Sequence, residues 1–232
     1  IEIPNYENNY ELHTIHQRKY LERFWKKPVA ALFADMGTGK SFMVINNVAM
    51  LYDVGKINSA LIIAPKGVYR NWINQELPKH LPDHVLHRTA LWTPSPRKAD
   101  KALLDSLWDV SEDLKILVMN VEALSTKKGF DYAKRFAMFT KCFMAIDEST
   151  TIKTPTAKRA KNANKVGFEA RYRRIMTGSP VTRSPLDLFQ QCDFLSEECL
   201  DSQSFYAFRA RYAILVEKHM GSHSFKKVVG YR

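Results

Sequence analysis

A loop between an apolar strand pattern and an amphipathic helix pattern contains the residue types that bind phosphate. The apolar run 29–34 leads into Asp35-Met36-Gly37-Thr38-Gly39-Lys40-Ser41, and helical apolar spacing follows. Glycines allow successive backbone N–H groups to converge on one point, and the start of the next helix adds positive potential there. This pattern predicts a phosphate loop in which Lys40 reaches the β and γ phosphates of a nucleotide and Ser41 holds Mg²⁺.

The loop departs from the pattern G-x-x-x-x-G-K-[ST] at its first position, where Ala34 stands in place of glycine. A small residue fits there, and the required context of a preceding strand and a following helix is present. The alternative is a tight turn that contains Gly-Lys-Ser by chance. We expect instead that the segment Met36 to Ser41 binds a nucleoside triphosphate.

An acid pair ends a second apolar run, in the stretch KCFMAIDESTTIKT at 141–154. Carboxylates at the C-terminal end of a parallel strand lie at the sheet edge where ligands bind. Asp147 is then the predicted Mg²⁺ partner, and Glu148 the predicted base for the attacking water. Taken alone, the pair also fits a strand that simply runs out into solvent. Together with Lys40, it predicts a catalytic site.

The elements that must position these residues are short apolar runs that alternate with helical patterns. Such alternation implies right-handed crossovers and a mostly parallel sheet with helices on both faces. The predicted fold class is therefore a doubly wound α/β domain. The runs are VAALFA (29–34), SALIIA (59–64), HVLHRTALW (84–92), KILVMN (115–120), CFMAID (142–147) and RRIMTG (173–178).

The pattern changes near residue 196. Residues 1–196 are predicted to form the α/β lobe, and 197–232 a C-terminal helical appendage that begins with SFYAFRARYAILVEKH. The chain starts with Ile rather than Met, which suggests a processed or truncated protein. No second α/β pattern follows the first.

Charge and composition exclude some classes of protein. The net charge is +11, and the stretch from Lys153 to Arg174 contributes eight basic residues against one acid. This stretch is either a polyanion-binding patch or a solvated helix face. Three cysteines without metal-ligand spacing fit reduced thiols, and the absence of a signal or spanning segment predicts an intracellular protein without a membrane partner.

Several motifs, in this order, resemble the first motor lobe of superfamily two helicases, and most of all the Swi/Snf-type double-stranded DNA translocases. The resemblance covers almost the whole chain and implies a RecA-like P-loop NTPase lobe. The stretches are TIHQRKYLERFW, ADMGTGKS, IIAPKGVYRNWINQE, ILVMNVEAL, AIDESTTIK and IMTGSPVTRSPLDLFQQCDFL.

The resemblance implies further roles at the nucleotide site. Gln17 matches the family's adenine-reading glutamine, with Arg18 beside it, and an amide suits the adenine edge because it both donates and accepts. Thr177, Gly178 and Ser179 match the loop that couples the nucleotide site to movement.

The resemblance also implies a nucleic-acid contact. Lys66, Gly67, Arg70 and Asn71 match the loop and helix start that touch one strand, and Asn120 matches the next strand-end contact. Backbone N–H groups and Lys66 can bind phosphates there without reading bases.

Two departures from the family pattern affect the expected activity. Asp147-Glu148-Ser149-Thr150 stands where the family usually has Asp-Glu-Ala-His. The coupling role that the family usually gives to the fourth position must therefore be taken by a hydroxyl or by another residue. The second lobe, with its arginine finger, is also missing, and such a finger contributes roughly 10³ to 10⁵ in rate in other phosphoryl-transfer systems. We expect an ATP hydrolase that is weak as an isolated lobe and needs a second RecA-like lobe.

The resemblance favours ATP-driven translocation on, or remodelling of, duplex DNA. A strand-separating DNA or RNA helicase and a non-catalytic nucleotide-binding or DNA-binding module remain the alternatives. Compact linkers favour a bacterial or viral source, and hence the cytoplasm of a bacterial or virus-infected cell rather than a nucleus.

Overall fold

All six strands predicted from the apolar runs form in the computed structural model, which describes residues 14–202, 204–220 and 223–232. The first 13 residues of the predicted lobe 1–196 lie outside the described residues. The strands are β1 (Val29–Phe33), β2 (Ser59–Ala64), β3 (His87–Leu91), β4 (Leu114–Asn120), β5 (Cys142–Asp147) and β6 (Tyr172–Thr177).

Helices connect these strands. The second, α2, contains the predicted helical stretch after the phosphate loop. The α-helices are α1 (Ile15–Phe24), α2 (Lys40–Asp53), α3 (Tyr69–Asn71), α4 (Leu77–His80), α5 (Lys98–Ser106), α6 (Lys127–Phe139), α7 (Lys158–Glu169), α8 (Asp187–Leu195) and α9 (Phe205–Tyr212). A π-helical turn, Trp72–Glu76, joins α3 to α4, and short 3₁₀ helices cover Val121–Ser125 and Ser149–Ile152.

The six strands form one parallel sheet in the order β1-β6-β5-β2-β4-β3. Side chains of successive strand residues alternate between two apolar cores, as the pleat requires. In β2, Ala60 and Ile62 join the core beneath α1 and α2, whereas Leu61 and Ile63 join the core beneath α6 and α7. The doubly wound α/β prediction is confirmed.

The strand order decides which loops meet at the carboxyl edge of the sheet. Because β6 lies between β1 and β5, the loop after β6 lies between the phosphate loop and the acid pair. The register places Phe33 opposite Thr177 and Asp147 opposite Met176. The next strands, β2 and β4, end together at Ala64 and Asn120. The predicted site segments that end or follow strands therefore lie along one edge.

The predicted C-terminal helix is only half correct. Helix α9 ends at Tyr212, and the chain continues as an antiparallel hairpin of β7 (Ala213–Met220) and β8 (His223–Tyr231). Ile214 and Val216, just after Tyr212, favour the change, because β-branched residues prefer a pleated strand to a helix. Residues 221 and 222 of the predicted appendage lie outside the described residues.

Among the residues that the structure describes, no helix combines the length and the apolar character needed to cross a membrane.

Candidate nucleotide site

The phosphate loop has the backbone that its glycines predict. Gly37 and Gly39 have φ of +76° and +80°, a left-handed conformation that other L-residues adopt at a cost. A Cβ on Gly39 would also lie 2.3 Å from Gln17 Nε2. Position 39 therefore requires glycine for its conformation, and a side chain there would displace the Gln17 amide.

Polar atoms inside the loop fix its shape. The Lys40 ammonium donates to the carbonyls of Ala34 and Asp35, each at 2.9 Å, and Thr38 Oγ1 donates to Asp35 O at 2.7 Å. Bonds from an ammonium to two neutral carbonyls are replaceable by stronger ones to phosphate oxygens. Lys40 thus already lies over the loop that it is predicted to serve.

Helix α1 lies against the same loop. The carbonyl of Thr38 accepts hydrogen bonds from His16 Nε2 and Gln17 Nε2, both at 3.0 Å. Gln17 is only 6% exposed, and its Oε1 atom is buried without a partner among the described residues. An orphaned buried acceptor beside the loop fits an adenine amino donor. Arg18, by contrast, is exposed and pairs with Glu22 at 2.8 Å.

Both oxygens of the Asp147 carboxylate accept hydrogen bonds. Trp72 Nε1 donates to Oδ2 at 3.0 Å, and the Glu148 N–H donates to Oδ1 at 2.9 Å. Burial raises the pKa of Asp147, the Trp72 bond lowers it, and the neighbouring Glu148 carboxylate raises it again. The contacts hold the carboxylate in a fixed orientation at the end of β5.

Glu148 has a strained backbone that turns it away from the line of the strand. Its φ of 47° and ψ of 63° are left-handed, which costs a residue with a Cβ on the order of 1–2 kcal/mol. Its Oε2 accepts a hydrogen bond from Thr177 Oγ1 at 2.9 Å, and Thr177 Oγ1 in turn accepts the Ser179 N–H. The predicted coupling residue Thr177 therefore contacts the predicted base directly. Gly178 lies beside the phosphate loop, where a Cβ would be 3.6 Å from Ala34 O.

A second link to the loop after β6 starts at Ser149. The Ser149 hydroxyl donates to Gln191 Oε1 at 2.6 Å, and both residues are wholly buried. Gln191 Nε2 donates to the carbonyls of Pro180 and Asp187 at 2.8 and 2.7 Å. Sequence reasoning missed Gln191. It lies within PLDLFQQCDFL, one of the stretches that carry the family resemblance, but nothing in the sequence assigned it a role.

Replacing Ser149 by Ala should lower the free energy of unfolding by about 1–3 kcal/mol, because Gln191 Oε1 would lose its donor in a dry site. Urea denaturation monitored by circular dichroism measures the change. Thr156, an exposed hydroxyl, is the matched control, and Thr156→Ala should stay within about 0.5 kcal/mol of the parent. Equal stability of the two variants would contradict this prediction.

The loop between β6 and α8 is held by one carboxylate. Asp187 Oδ2 accepts from the backbone N–H groups of Thr182 and Arg183, from the Thr182 hydroxyl and from Lys153 Nζ. Burial would raise the pKa of Asp187, but these donors together lower it to about 2. The charged form of Asp187 thus stabilises the folded loop.

Replacing Asp187 by Asn should cost about 1–2 kcal/mol of unfolding free energy near neutral pH, after allowing for solvent screening. Since the folded pKa is depressed, the stabilisation is present above the unfolded pKa of about 3.9 and is lost as pH falls toward 2. Urea midpoints measured across that range should converge for parent and variant. A constant difference at every pH would contradict the prediction.

Lys40, Ser41, Asp147 and Glu148 line one cleft of about 500 Å³, called the nucleotide cleft below. One wall is the phosphate loop with the acid pair, and the other is a face of the helical segment 69–80. That face includes Glu76, Lys79 and His80, which the sequence analysis did not select. Their spacing from Trp72, at positions +4, +7 and +8, is the helical signal that could have found them.

The residues predicted to bind nucleic acid lie on the same edge as the nucleotide cleft. Lys66, Gly67, Arg70 and Asn71 are all exposed, and Asn71 also lines the cleft. Asn120 is half-buried, and its Oδ1 accepts the Ala123 N–H as a helix cap. Three of the five therefore form a surface beside the cleft, and Asn120 has a local structural bond.

The basic stretch Lys153 to Arg174 divides into two parts. Lys153 pairs with Asp187, Arg159 with Glu122, and Arg173 donates to the Phe194 carbonyl. Arg174 is wholly buried. The exposed members are Lys158, Lys161, Lys165 and Arg171.

The residues present fit a magnesium nucleotide. Mg²⁺ prefers hard oxygen ligands and is usually held by few protein groups, and the Ser41 hydroxyl and the Asp147 carboxylate are such ligands. The loop of Gly37 and Gly39 supplies a backbone cradle, and Lys40 supplies a positive charge. The donor set therefore suits triphosphate and metal together.

The parallel sheet has a phosphate loop after β1, an acid pair at the end of β5 and a Thr-Gly-Ser loop between them. This arrangement defines a RecA-like P-loop lobe. Residues 13–229 match the SNF2-related domain, so the chain belongs to that family. The recognition of a Swi/Snf-type motor lobe from the sequence is confirmed.

The chain is similar to named chromatin-remodeling ATPases and to a solved ATPase structure. The chromatin-remodeling ATPase INO80 of Aspergillus oryzae is 26% identical over 214 residues, which cover 88% of this chain and 14% of that protein. INO80 of Mycosarcoma maydis is 27% identical over 198 residues, covering 81% of this chain and 10% of that protein. The SWI2/SNF2 ATPase core of Sulfolobus solfataricus in complex with dsDNA superposes with a TM-score of 0.69 at 21% identity, covering 91% of this chain and 40% of that one. The chain thus spans about an eighth of the length of these fungal relatives.

The expected location was wrong. These relatives are fungal ATPases named for chromatin remodelling, which points to the nucleus rather than to the cytoplasm of a bacterial or virus-infected cell.

Proposed function

We propose that this chain is the ATP-binding lobe of a nucleic-acid-stimulated ATPase that moves on, or remodels, duplex DNA. The observation that carries the proposal is that Lys40, Asp147 and Glu148 line one cleft, while Thr177, which ends the strand between theirs, donates a hydrogen bond to Glu148. A degenerate, non-catalytic module has no reason to keep all four. The matched SNF2-related family supports the same conclusion.

The proposed reaction is hydrolysis of ATP to ADP and phosphate. Water attacks the γ phosphorus, the bond to the β–γ bridging oxygen breaks, and Glu148 accepts a proton from the water. Lys40 and the loop N–H groups bind the phosphate oxygens, and Gln17 binds the adenine edge. Mg²⁺, held by Ser41 and Asp147, would neutralise the charge that develops on those oxygens. Thr177 senses Glu148 through their hydrogen bond.

The proposed nucleic-acid contact is the exposed surface of Lys66, Gly67 and Arg70. A lysine, an arginine and backbone N–H groups bind phosphates without reading bases, which suits a motor that must pass any sequence. The neighbour from Sulfolobus solfataricus was solved with dsDNA, which favours duplex over single strands. A second RecA-like lobe of the full-length protein completes the proposed site with an arginine.

The test is hydrolysis by the full-length natural protein with duplex DNA, single-stranded DNA or RNA, over a salt series. We expect duplex DNA to stimulate most, and the stimulation to weaken as salt rises, since phosphate contacts release counterions. Lys40→Ala is the nucleotide-site control. Stimulation mainly by single strands or RNA would favour the strand-separating helicase instead. No stimulation by any nucleic acid would overturn the proposal.

A further inference from the structure

Trp72 connects the surface proposed for nucleic acid with the carboxylate proposed for the metal. Its indole is 1% exposed and packs in the core beneath α2, and Nε1 donates to Asp147 Oδ2 at 3.0 Å. The partners are 75 residues apart in the chain. An indole N–H has one hydrogen to donate, so this bond is the indole's whole polar contact.

One short helical segment, 69–80, contains both the exposed Arg70 and the buried Trp72. It starts just after the exposed Lys66 and Gly67, and Arg70 lies two residues before Trp72. The N–H groups of Val68 and Tyr69 bond to Pro65 O at 3.0 Å, which ties the start of the segment to the exposed loop. These bonds link the exposed loop to the segment that contains Trp72.

An unusual helical turn begins at Trp72. Residues Trp72–Glu76 form a π-helical turn, and Pro78 follows it at the start of α4. Proline lacks the N–H that an α-helix would use there, so a wider turn accommodates it. Such turns occur frequently at functional sites, because the extra residue reorients side chains toward a ligand.

We propose that Trp72 is a positioning residue that couples phosphate binding at Lys66 and Arg70 to the orientation of the Asp147 carboxylate. The other carboxylate oxygen is fixed by the Glu148 N–H, so the indole bond decides the rotation of the group. Nucleic acid bound to the exposed loop fixes the position of the helical segment. The segment fixes the Trp72 indole, whose hydrogen bond keeps Asp147 in the orientation that hydrolysis needs. This coupling rests on the proposed function above and names how that site is regulated.

The first test is Trp72→Phe in the full-length protein, which keeps an aromatic ring and removes the N–H donor. Loss of a partner that orients a metal ligand typically costs 10- to 100-fold. We expect the duplex-stimulated kcat to fall by roughly 10-fold or more, while KM for ATP changes by less than about 2-fold. Stimulation by duplex DNA, the ratio of stimulated to basal rates, should fall with it.

Trp25→Phe is the matched control. Trp25 is also 1% exposed, and its Nε1 has no hydrogen-bond partner among the described residues, so the change removes ring volume but no bond. If both variants lose the same share of basal and stimulated activity, Trp72 is only a packing residue. If wild type is stimulated and Trp72→Phe keeps the full ratio, the coupling is wrong while the proposed function stands. An unstimulated wild type overturns both.

A second measurement does not depend on hydrolysis. The chain has four tryptophans, and in ¹⁵N-tryptophan-labelled protein the indole signal that disappears in Trp72→Phe belongs to Trp72. We expect this signal to shift when duplex DNA alone is added and to shift again with Mg²⁺ and ADP. A signal that duplex DNA leaves in place, at concentrations that saturate binding, would overturn the coupling.

Discussion

Replacing Glu148 by Gln should lower kcat for ATP hydrolysis by about 10²- to 10⁴-fold, the usual contribution of a positioned general base. Glutamine keeps the length of the side chain and an oxygen that can accept the Thr177 hydroxyl, but it cannot take a proton from water. Nucleotide affinity should change little, since the phosphate loop and Lys40 are untouched. Steady-state hydrolysis and fluorescent-nucleotide binding by the full-length protein measure the two effects separately.

Glu198→Gln is the control for this change, because Glu198 is an exposed acid outside the nucleotide cleft. Its rate should match that of the parent. A Glu148→Gln protein that hydrolyses ATP within about 3-fold of the parent would contradict the role of general base. Loss of both binding and hydrolysis would instead indicate that the strained turn at Glu148 had collapsed.

The parts of the site that depend on local spacing could be predicted from the sequence. Lys40 and Ser41 follow a strand pattern and begin a helix, and Asp147 ends an apolar run. The rule that parallel strands present their carboxyl ends on one edge brings these residues together without knowledge of the strand order. The structure adds that β6 separates β1 from β5, which is why Thr177 reaches Glu148.

The contacts between distant segments could not be predicted. Trp72 meets Asp147 across 75 residues, and Ser149 meets Gln191 across 42. No periodicity encodes such pairs, since each side chain alone fits a core residue or a solvated polar residue. The prediction of a helix where the C-terminal hairpin forms failed for another reason. The helical pattern before Tyr212 has no stop signal after it, and only the β-branched Ile214 and Val216 favour a strand.

Arg174 shows that a basic residue in a charged stretch of sequence need not lie on a charged surface. It belongs to the basic stretch that suggested a polyanion surface, yet its side chain is 0% exposed. The guanidinium donates to the Asn47 amide oxygen and to backbone carbonyls, and burial lowers its pKa to about 10. The carbonyl acceptors are those of Phe24, Trp25, Lys27, Pro28 and Arg173, at 2.8 to 3.4 Å.

These bonds attach the end of α1 to β6 and α2. Phe24, Trp25 and Lys27 are at or just past the C-terminus of α1, where helix carbonyls lack partners of their own. A guanidinium suits this place because its planar fork has five donors and stays charged at neutral pH. Helix α1 contains Gln17, whose Nε2 binds the phosphate loop. The buried arginine therefore fixes the position of α1, and with it Gln17, relative to the sheet.

Replacing Arg174 by Leu should lower the free energy of unfolding by about 3–5 kcal/mol, because several buried carbonyls lose their donor at once. Arg174→Lys keeps the charge with a single amine and should lose about 1–3 kcal/mol, so it remains measurable if the Leu variant does not fold. Arg171→Leu, an exposed change in the same basic stretch, should stay within about 0.5 kcal/mol. Urea denaturation ranks the three variants. If Arg174→Lys and Arg171→Leu are equally stable, the carbonyls do not depend on the guanidinium, and α1 is held by apolar packing alone.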